Sequence, residues 1–131
     1  MRKTILAFLS VLLASIVACK HGRPCDMAQL DVSQLNACQS QDPPIVCIEP
    51  NTLMPSRDPV HIRSGQYAHF FLTTGHGELT ITCEPGTPVD YVGHSGSHAW
   101  VHALPVKTAE RHKYTINVDG RIKDPEMVIE P

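Results

Sequence analysis

The chain has 131 residues, with 11 basic and 13 acidic side chains and a formal charge of −2 when histidine is neutral. That length suits one compact domain and leaves little room for two. The charge balance lacks the clustered Lys and Arg that a nucleic-acid surface needs to neutralise phosphates, so no nucleic-acid partner is expected. One Trp, three Tyr and three Phe promise only a modest core.

The chain opens on Met1-Arg2-Lys3 and an apolar run from Ile5 to Ala18, interrupted by Ser10 and Ser15. A cationic start followed by a short apolar stretch has the pattern of an export signal. The run is shorter than the roughly 20 residues that a spanning helix needs. It ends in Ile16-Val17-Ala18-Cys19: a branched apolar residue, a tolerant position, a small residue, then cysteine. This ending resembles the lipobox of bacterial lipoproteins; an ordinary secretory signal with a nearby cysteine is the alternative. The resemblance implies cleavage before Cys19 and diacylglyceryl modification of its thiol. It also implies acylation, palmitate for example, of the new amine. The expected layout is a signal peptide over 1–18, a tether over 19–24, a disulfide-bracketed segment over 25–44 and a β-sandwich over 45–131. No polybasic tract supplies a second membrane signal, so the acyl chains would carry the anchoring at about 0.8 kcal/mol per buried methylene. Lipoproteins retained at an inner membrane often carry Asp after the acylated cysteine, whereas Lys20 follows here. By that family rule the periplasmic face of the outer membrane is expected in a Gram-negative cell.

Past the tether, 26–37 reads DMAQLDVSQLNA, with Asp26 as a plausible N-cap and Met27, Leu30 and Leu35 on roughly one helical side. A short helix or helical turn is predicted there, between Cys25 and Cys38. From Ile45 the texture becomes short β-type segments punctuated by Gly and Pro. Strands are predicted at 45–48, 60–63, 67–72, 79–83, 98–104, 114–118 and 126–129. Glu110-Arg111-His112-Lys113 reads as a solvated loop, and Asp119-Gly120 is a hairpin signal. The sum is a mainly β protein, a single antiparallel β-sandwich with a short N-terminal helical segment.

With Cys19 set aside, Cys25, Cys38, Cys47 and Cys83 remain, an even number in an exported chain. An oxidising compartment makes two disulfides the expectation, with three possible connectivities. No pair has the C-x₂₋₄-C spacing of a structural zinc site. Cys47 is in phase with Ile45 and Cys83 with Ile81, so both are expected to face one core, which predicts pairs 25–38 and 47–83.

Two stretches resemble a cupredoxin-like sandwich, itself close in layout to an immunoglobulin-like one. They are Val60-His61-Ile62-Arg63-Ser64-Gly65 leading into an aromatic strand, and Tyr114-Thr115-Ile116-Asn117-Val118 with the closing Asp124-Pro125-Glu126-Met127-Val128-Ile129. The likeness covers Ile45 to Pro131. Blue-copper members hold their metal with a Cys, a His and usually a Met before the last strand, yet the residues between Tyr114 and Asp124 include none of these. The resemblance therefore implies the fold and not electron transfer.

His94, His98 and His102 form the most suggestive cluster, able in principle to hold Zn or Cu through neutral imidazoles. Set on a strand, His98 and His102 would share a face with Trp100, which is expected to cover one end of the core. Gly93-His94-Ser95-Gly96-Ser97 approaches a nucleophile elbow, but Ser97 stands where that motif requires glycine. Ser95 and Ser97, even with Asp90 nearby, read as a polar loop. His61, His69, His76 and His112 are assigned no role, with His69 expected as a hydrogen-bonded core or edge residue. The function expected is a non-enzymatic binding or structural module, anchored to the membrane through Cys19, with another envelope protein as partner and no cofactor. A periplasmic metal-handling protein using the three histidines is the alternative.

Overall fold

The computed structural model describes residues 35–131. The expected signal peptide, Cys19, the tether, Cys25 and most of the expected helix lie outside the described residues. The end of that helical stretch falls on a 3₁₀ turn, Leu35–Gln39. Nine strands follow: β1 (Ile45–Ile48), β2 (Val60–Arg63), β3 (Tyr67–Leu72), β4 (Leu79–Cys83), β5 (Val89–Ser95), β6 (His98–Ala103), β7 (Glu110–Val118), β8 (Arg121–Lys123) and β9 (Glu126–Glu130).

One sheet has the order β1-β3-β6-β5; the other has the order β2-β9-β7-β4, with β8 paired to β7. The two-residue period of a strand puts alternate side chains between the sheets. Val46 and Ile48, then Ala68, Phe70 and Leu72, then Ala99, Val101 and Ala103 face inward from the first sheet. Val60 and Ile62, Leu79 and Ile81, Tyr114, Ile116 and Val118, and Met127 and Ile129 meet them from the second. Phe70 and Tyr114 touch across the middle, ring centroids 5.3 Å apart, while the alanines of β3 and β6 make room for these rings. The predicted β-sandwich is present, and its layers assemble because each strand has one apolar stripe to bury.

If β1 is lettered A, β2 A′, β3 to β7 B to F, and β8 with β9 together G, the sheets read A-B-E-D and A′-G-F-C. That is the strand order of immunoglobulin-type sandwiches. The sheets are mixed rather than purely antiparallel, because β1 runs parallel to β3 and β2 parallel to β9. A parallel neighbour requires a long crossover. Residues 49–66 provide one for β1 and β3, crossing to the second sheet as β2 before returning.

Strands β7, β8 and β9 form one long hairpin in a single register, from Val118 opposite Arg121 to Glu110 opposite Ile129. Asp119 and Gly120 both have positive φ, 52° and 82°. Together they make the primed two-residue turn expected of Asp-Gly. Pro125, which has no N–H, interrupts the returning strand between β8 and β9. The hairpin corrects the solvated loop expected at Glu110–Lys113, which is the first half of β7. Its polar side chains find partners instead: Arg111 with Glu126 across the hairpin, and His112 with Glu110 on its own strand and Glu84 just after β4.

The disulfide prediction is also corrected. Cys47 is bonded to Cys38, their Cα atoms 5.4 Å apart, and Cys83 has no disulfide partner among the described residues. The error was one of parity. All four residues of Ile45-Val46-Cys47-Ile48 are apolar, so either face of β1 was open to the core. The structure turns Val46 and Ile48 inward and leaves Ile45 and Cys47 on the outside. Cys83 follows the inward phase of β4 and packs against the core, where burial pushes its thiol up to about 11. A bond between Cys47 and Cys83 would have to pass through the sandwich.

A candidate binding face

The outer face of the first sheet carries Tyr67, Phe71, Tyr91 and Trp100 together with His69, His98 and His102. Strand pairing sets them in three rows: Tyr67, His102 and Tyr91; then Ile45, His69, Trp100 and Gly93; then Cys47, Phe71, His98 and Ser95. Strand β5, which supplies one edge, was not foreseen. Its sequence Val89-Asp90-Tyr91-Val92-Gly93-His94-Ser95 mixes the strand formers Val89, Tyr91 and Val92 with the disfavoured Asp90 and Gly93 and shows no clean apolar alternation. Pairing to β6, with a bulge between Val89 and Tyr91, holds it extended.

The predicted histidine cluster is not brought together. His94 stands opposite Ala99, out of phase with His98 and His102. His98 turns to His69 instead, with 3.0 Å between His69 Nδ1 and His98 Nε2. His102 lies 2.6 Å from Asp90 Oδ1 through Nδ1 and 3.1 Å from the Gly65 carbonyl through Nε2. It also stacks on Tyr67 at 4.4 Å. His98 and His102 are thus engaged with different partners, and no group of three or more His, Cys, Asp or Glu side chains gathers for a metal among the described residues. His94, His98 and His102, expected as one metal-ligating set, are directed to separate surroundings. Ser95 and Ser97 lie in a strand-to-strand hairpin between β5 and β6, not at the strand-to-helix turn a nucleophile elbow needs.

His69 is buried and hydrogen-bonded, as expected from the sequence, but its partner was not foreseen. Burial takes its pKa down to about 4. For His98, burial and then the neighbouring His69 do the same, again to about 4. Near neutral pH both rings are therefore uncharged, one donating an N–H to the lone pair of the other. Phe71 lies parallel to the His98 ring at 4.3 Å, and Trp100 leans on it at 4.8 Å. The pairing was hidden in the sequence because the two histidines are 29 residues apart. Only antiparallel pairing of β3 and β6 makes them diagonal neighbours.

Trp100 lies on this outer face and not over the end of the core as expected. Its indole sits against Gly93: a Cβ at that position would come within 2.5 Å of Trp100 Cε2 and 2.7 Å of Nε1. The indole N–H is buried with no hydrogen-bond partner among the described residues. Gly93→Ala should therefore push the indole off the strand and cost about 1–3 kcal/mol, the range for overpacking. Thermal unfolding would register this as a lower Tm, and fluorescence of the single tryptophan as a red-shifted emission.

No family model matches the chain, and no curated protein matches it. Among solved structures it is similar to an endo-fucoidan hydrolase of glycoside hydrolase family 107. That match has 16% identity and a TM-score of 0.45, over 57% of this chain and 13% of the other. It is also similar to domains 4 and 5 of the S-layer protein SbsC, with 15% identity and a TM-score of 0.39, over 58% of this chain and 49% of the other. The chain thus spans well under two thirds of either structure, and similarity at this level assigns neither family nor activity.

Proposed function

We propose that this protein is a lipid-anchored component of a bacterial cell envelope, whose sandwich domain binds another envelope component without catalysis. The address is carried by Ile16-Val17-Ala18-Cys19 behind a basic, apolar start. No helix among the described residues is long and apolar enough to cross a membrane, and on this reading the acyl chains on Cys19 supply the attachment. With Lys20 next, the periplasmic face of the outer membrane is the proposed site in a Gram-negative cell.

The observation that supports a binding role is the row of Tyr67, His102 and Tyr91. Tyr91 is 50% exposed, on a strand edge next to the stacked Tyr67 and His102 rings. Amphipathic aromatic side chains on a rigid sheet are favoured contact groups at protein interfaces. Two variants of the lipidated protein test the reading. Cys19→Ser should abolish palmitate labelling and release the chain from membranes. Tyr91→Ala should keep both properties and lower recovery of a cross-linked envelope partner about tenfold, the scale of an interface hot spot. Continued membrane attachment of a labelled Cys19→Ser chain would sink the anchor. An unchanged cross-linking pattern for Tyr91→Ala would sink the binding face.

A further inference from the structure

The two edges of the first sheet end differently. At β1 the outward backbone groups of Cys47 are already taken: its carbonyl accepts from Ser56 N at 2.7 Å, and its N–H donates to Ser56 Oγ at 2.9 Å. At β5 no strand or loop does the same among the described residues. The β5–β6 hairpin closes on Ser95 opposite His98, with Gly96 and Ser97 as its turn. The closing pair of such a hairpin exchanges hydrogen bonds, and bonded pairs alternate from there. Gly93 and Tyr91 therefore turn their backbone groups to β6, while Val92 and His94 turn theirs to the open side. The far side of β6 has the matching phase, since Leu72 N donates to Ser97 O and Ala103 N to Gln66 O.

The open edge carries apolar surface as well. Val92 faces inward opposite the fully buried Val101 yet is 39% exposed, and Tyr91 on the outer face is 50% exposed. Open edges are normally blunted by Lys, Pro or a bulge. Val89–Ser95 has no Lys, Arg or Pro, and its bulge lies at one end, between Val89 and Tyr91.

We infer that β5 pairs antiparallel with β5 of a second copy, Gly93 opposite Gly93, to make one continuous sheet with four strands from each copy. The register follows from the open groups. The bulge ends regular pairing before Tyr91, which leaves Val92 and His94 to supply the bonds. Only a two-fold axis at Gly93 uses both, setting Val92 of each copy opposite His94 of the other. Every open N–H and C=O of the two residues is then satisfied. A pair at that axis is of the close, unbonded kind, with Cα atoms about 4.5 Å apart, and glycine has no Cβ to obstruct it. A two-fold axis also brings each charge near its own copy, so self-pairing needs a neutral edge. Tyr91 to Ser95 contains no Asp, Glu, Lys or Arg. This pairing goes beyond the proposed binding role and is independent of the lipid anchor.

Sedimentation equilibrium of the full chain in density-matched detergent should show a dimer at about 100 μM, enough to populate a pair with a Kd of about 10 μM. His94→Pro removes an N–H that β6 does not use, a position where a strand tolerates proline, and should weaken the pair at least about tenfold. Val92→Lys keeps every backbone donor and should weaken it similarly by placing a charge on the edge. In the variant Tyr91→Cys with Ser95→Cys, oxidised glutathione should link position 91 of one copy to position 95 of the other. Tyr91→Cys alone should give no link between the two copies of position 91, which this register holds about 14 Å apart along the strands. A monomer at that concentration would overturn the inference. So would a dimer whose Kd is unchanged in both single variants, the absence of the 91–95 link, or a 91–91 link in its place.

Discussion

Acidification from pH 7 to pH 4 should destabilise this domain through His69 and His98. Both rings sit near 4 in the folded protein, held down chiefly by burial, against an ordinary value of 6.5. Between those limits the unfolded chain binds more protons than the folded one, so stability falls as pH falls. The contribution is intact above about pH 6.5, declines through the interval and is exhausted below about pH 4. At about 1.4 kcal/mol per pKa unit, each imidazole accounts for up to about 3 kcal/mol. The two rings share one hydrogen bond, so the loss for the pair should be on the order of 4 kcal/mol rather than twice the single value. Urea unfolding at a series of pH values would show it. His69→Leu with His98→Leu replaces both partners by apolar groups, a change that can be nearly neutral at pH 7, and should remove most of the slope. Carboxylates also titrate near pH 4, so the difference between the two proteins is the informative quantity. Parallel pH profiles would rule out the imidazole pair as the cause.

Loss of the Cys38–Cys47 bond should have the second large effect. The residues are nine apart in sequence. Closing a loop of that size in the unfolded chain is worth about 2.7 kcal/mol in the chain-entropy model. The bond also keeps Ala37 on Ile45 and Phe71, so opening it exposes apolar surface. Cys38→Ala with Cys47→Ala should lower the urea midpoint by an amount equivalent to about 2–3 kcal/mol. Trp100 emission should shift as well, because the 3₁₀ turn lies on the same outer face as the indole. Peptide mapping of the oxidised protein should recover the Cys38–Cys47 link. Recovery of Cys47 joined to Cys83 would contradict the parity of β1.

Much of the fold was legible locally. Where apolar and polar residues alternate, as in Val60-His61-Ile62-Arg63 and Leu79-Thr80-Ile81-Thr82-Cys83, the two-residue period identified the strand and its inner face together. Asp119-Gly120 marked its hairpin because both residues tolerate positive φ. Where a segment was uniformly apolar, as in β1, the strand was legible but its orientation was not, and that ambiguity produced the wrong disulfide partner for Cys47. Where a segment was charged, as in the first half of β7, or mixed strand formers with Asp, Gly and Ser without clean alternation, as in β5, nothing local distinguished it from a loop. These strands exist because β6 and β9 offer them hydrogen bonds and their charged or polar side chains can remain in water.

The candidate site divides in the same way. From the sequence alone came the histidine-rich stretch around Trp100, the expectation that His69 is a hydrogen-bonded core or edge residue, and the lipobox-like ending at Cys19. Each of these is a pattern within a few neighbouring residues. The tertiary structure decided that His98 belongs with His69 and Phe71, that His102 belongs with Asp90 and Tyr67, and that His94 joins neither group. Pattern along a strand reports only which way a side chain points. Its contacts depend on strand order and register, which are set by how two whole sheets bury their apolar faces against each other.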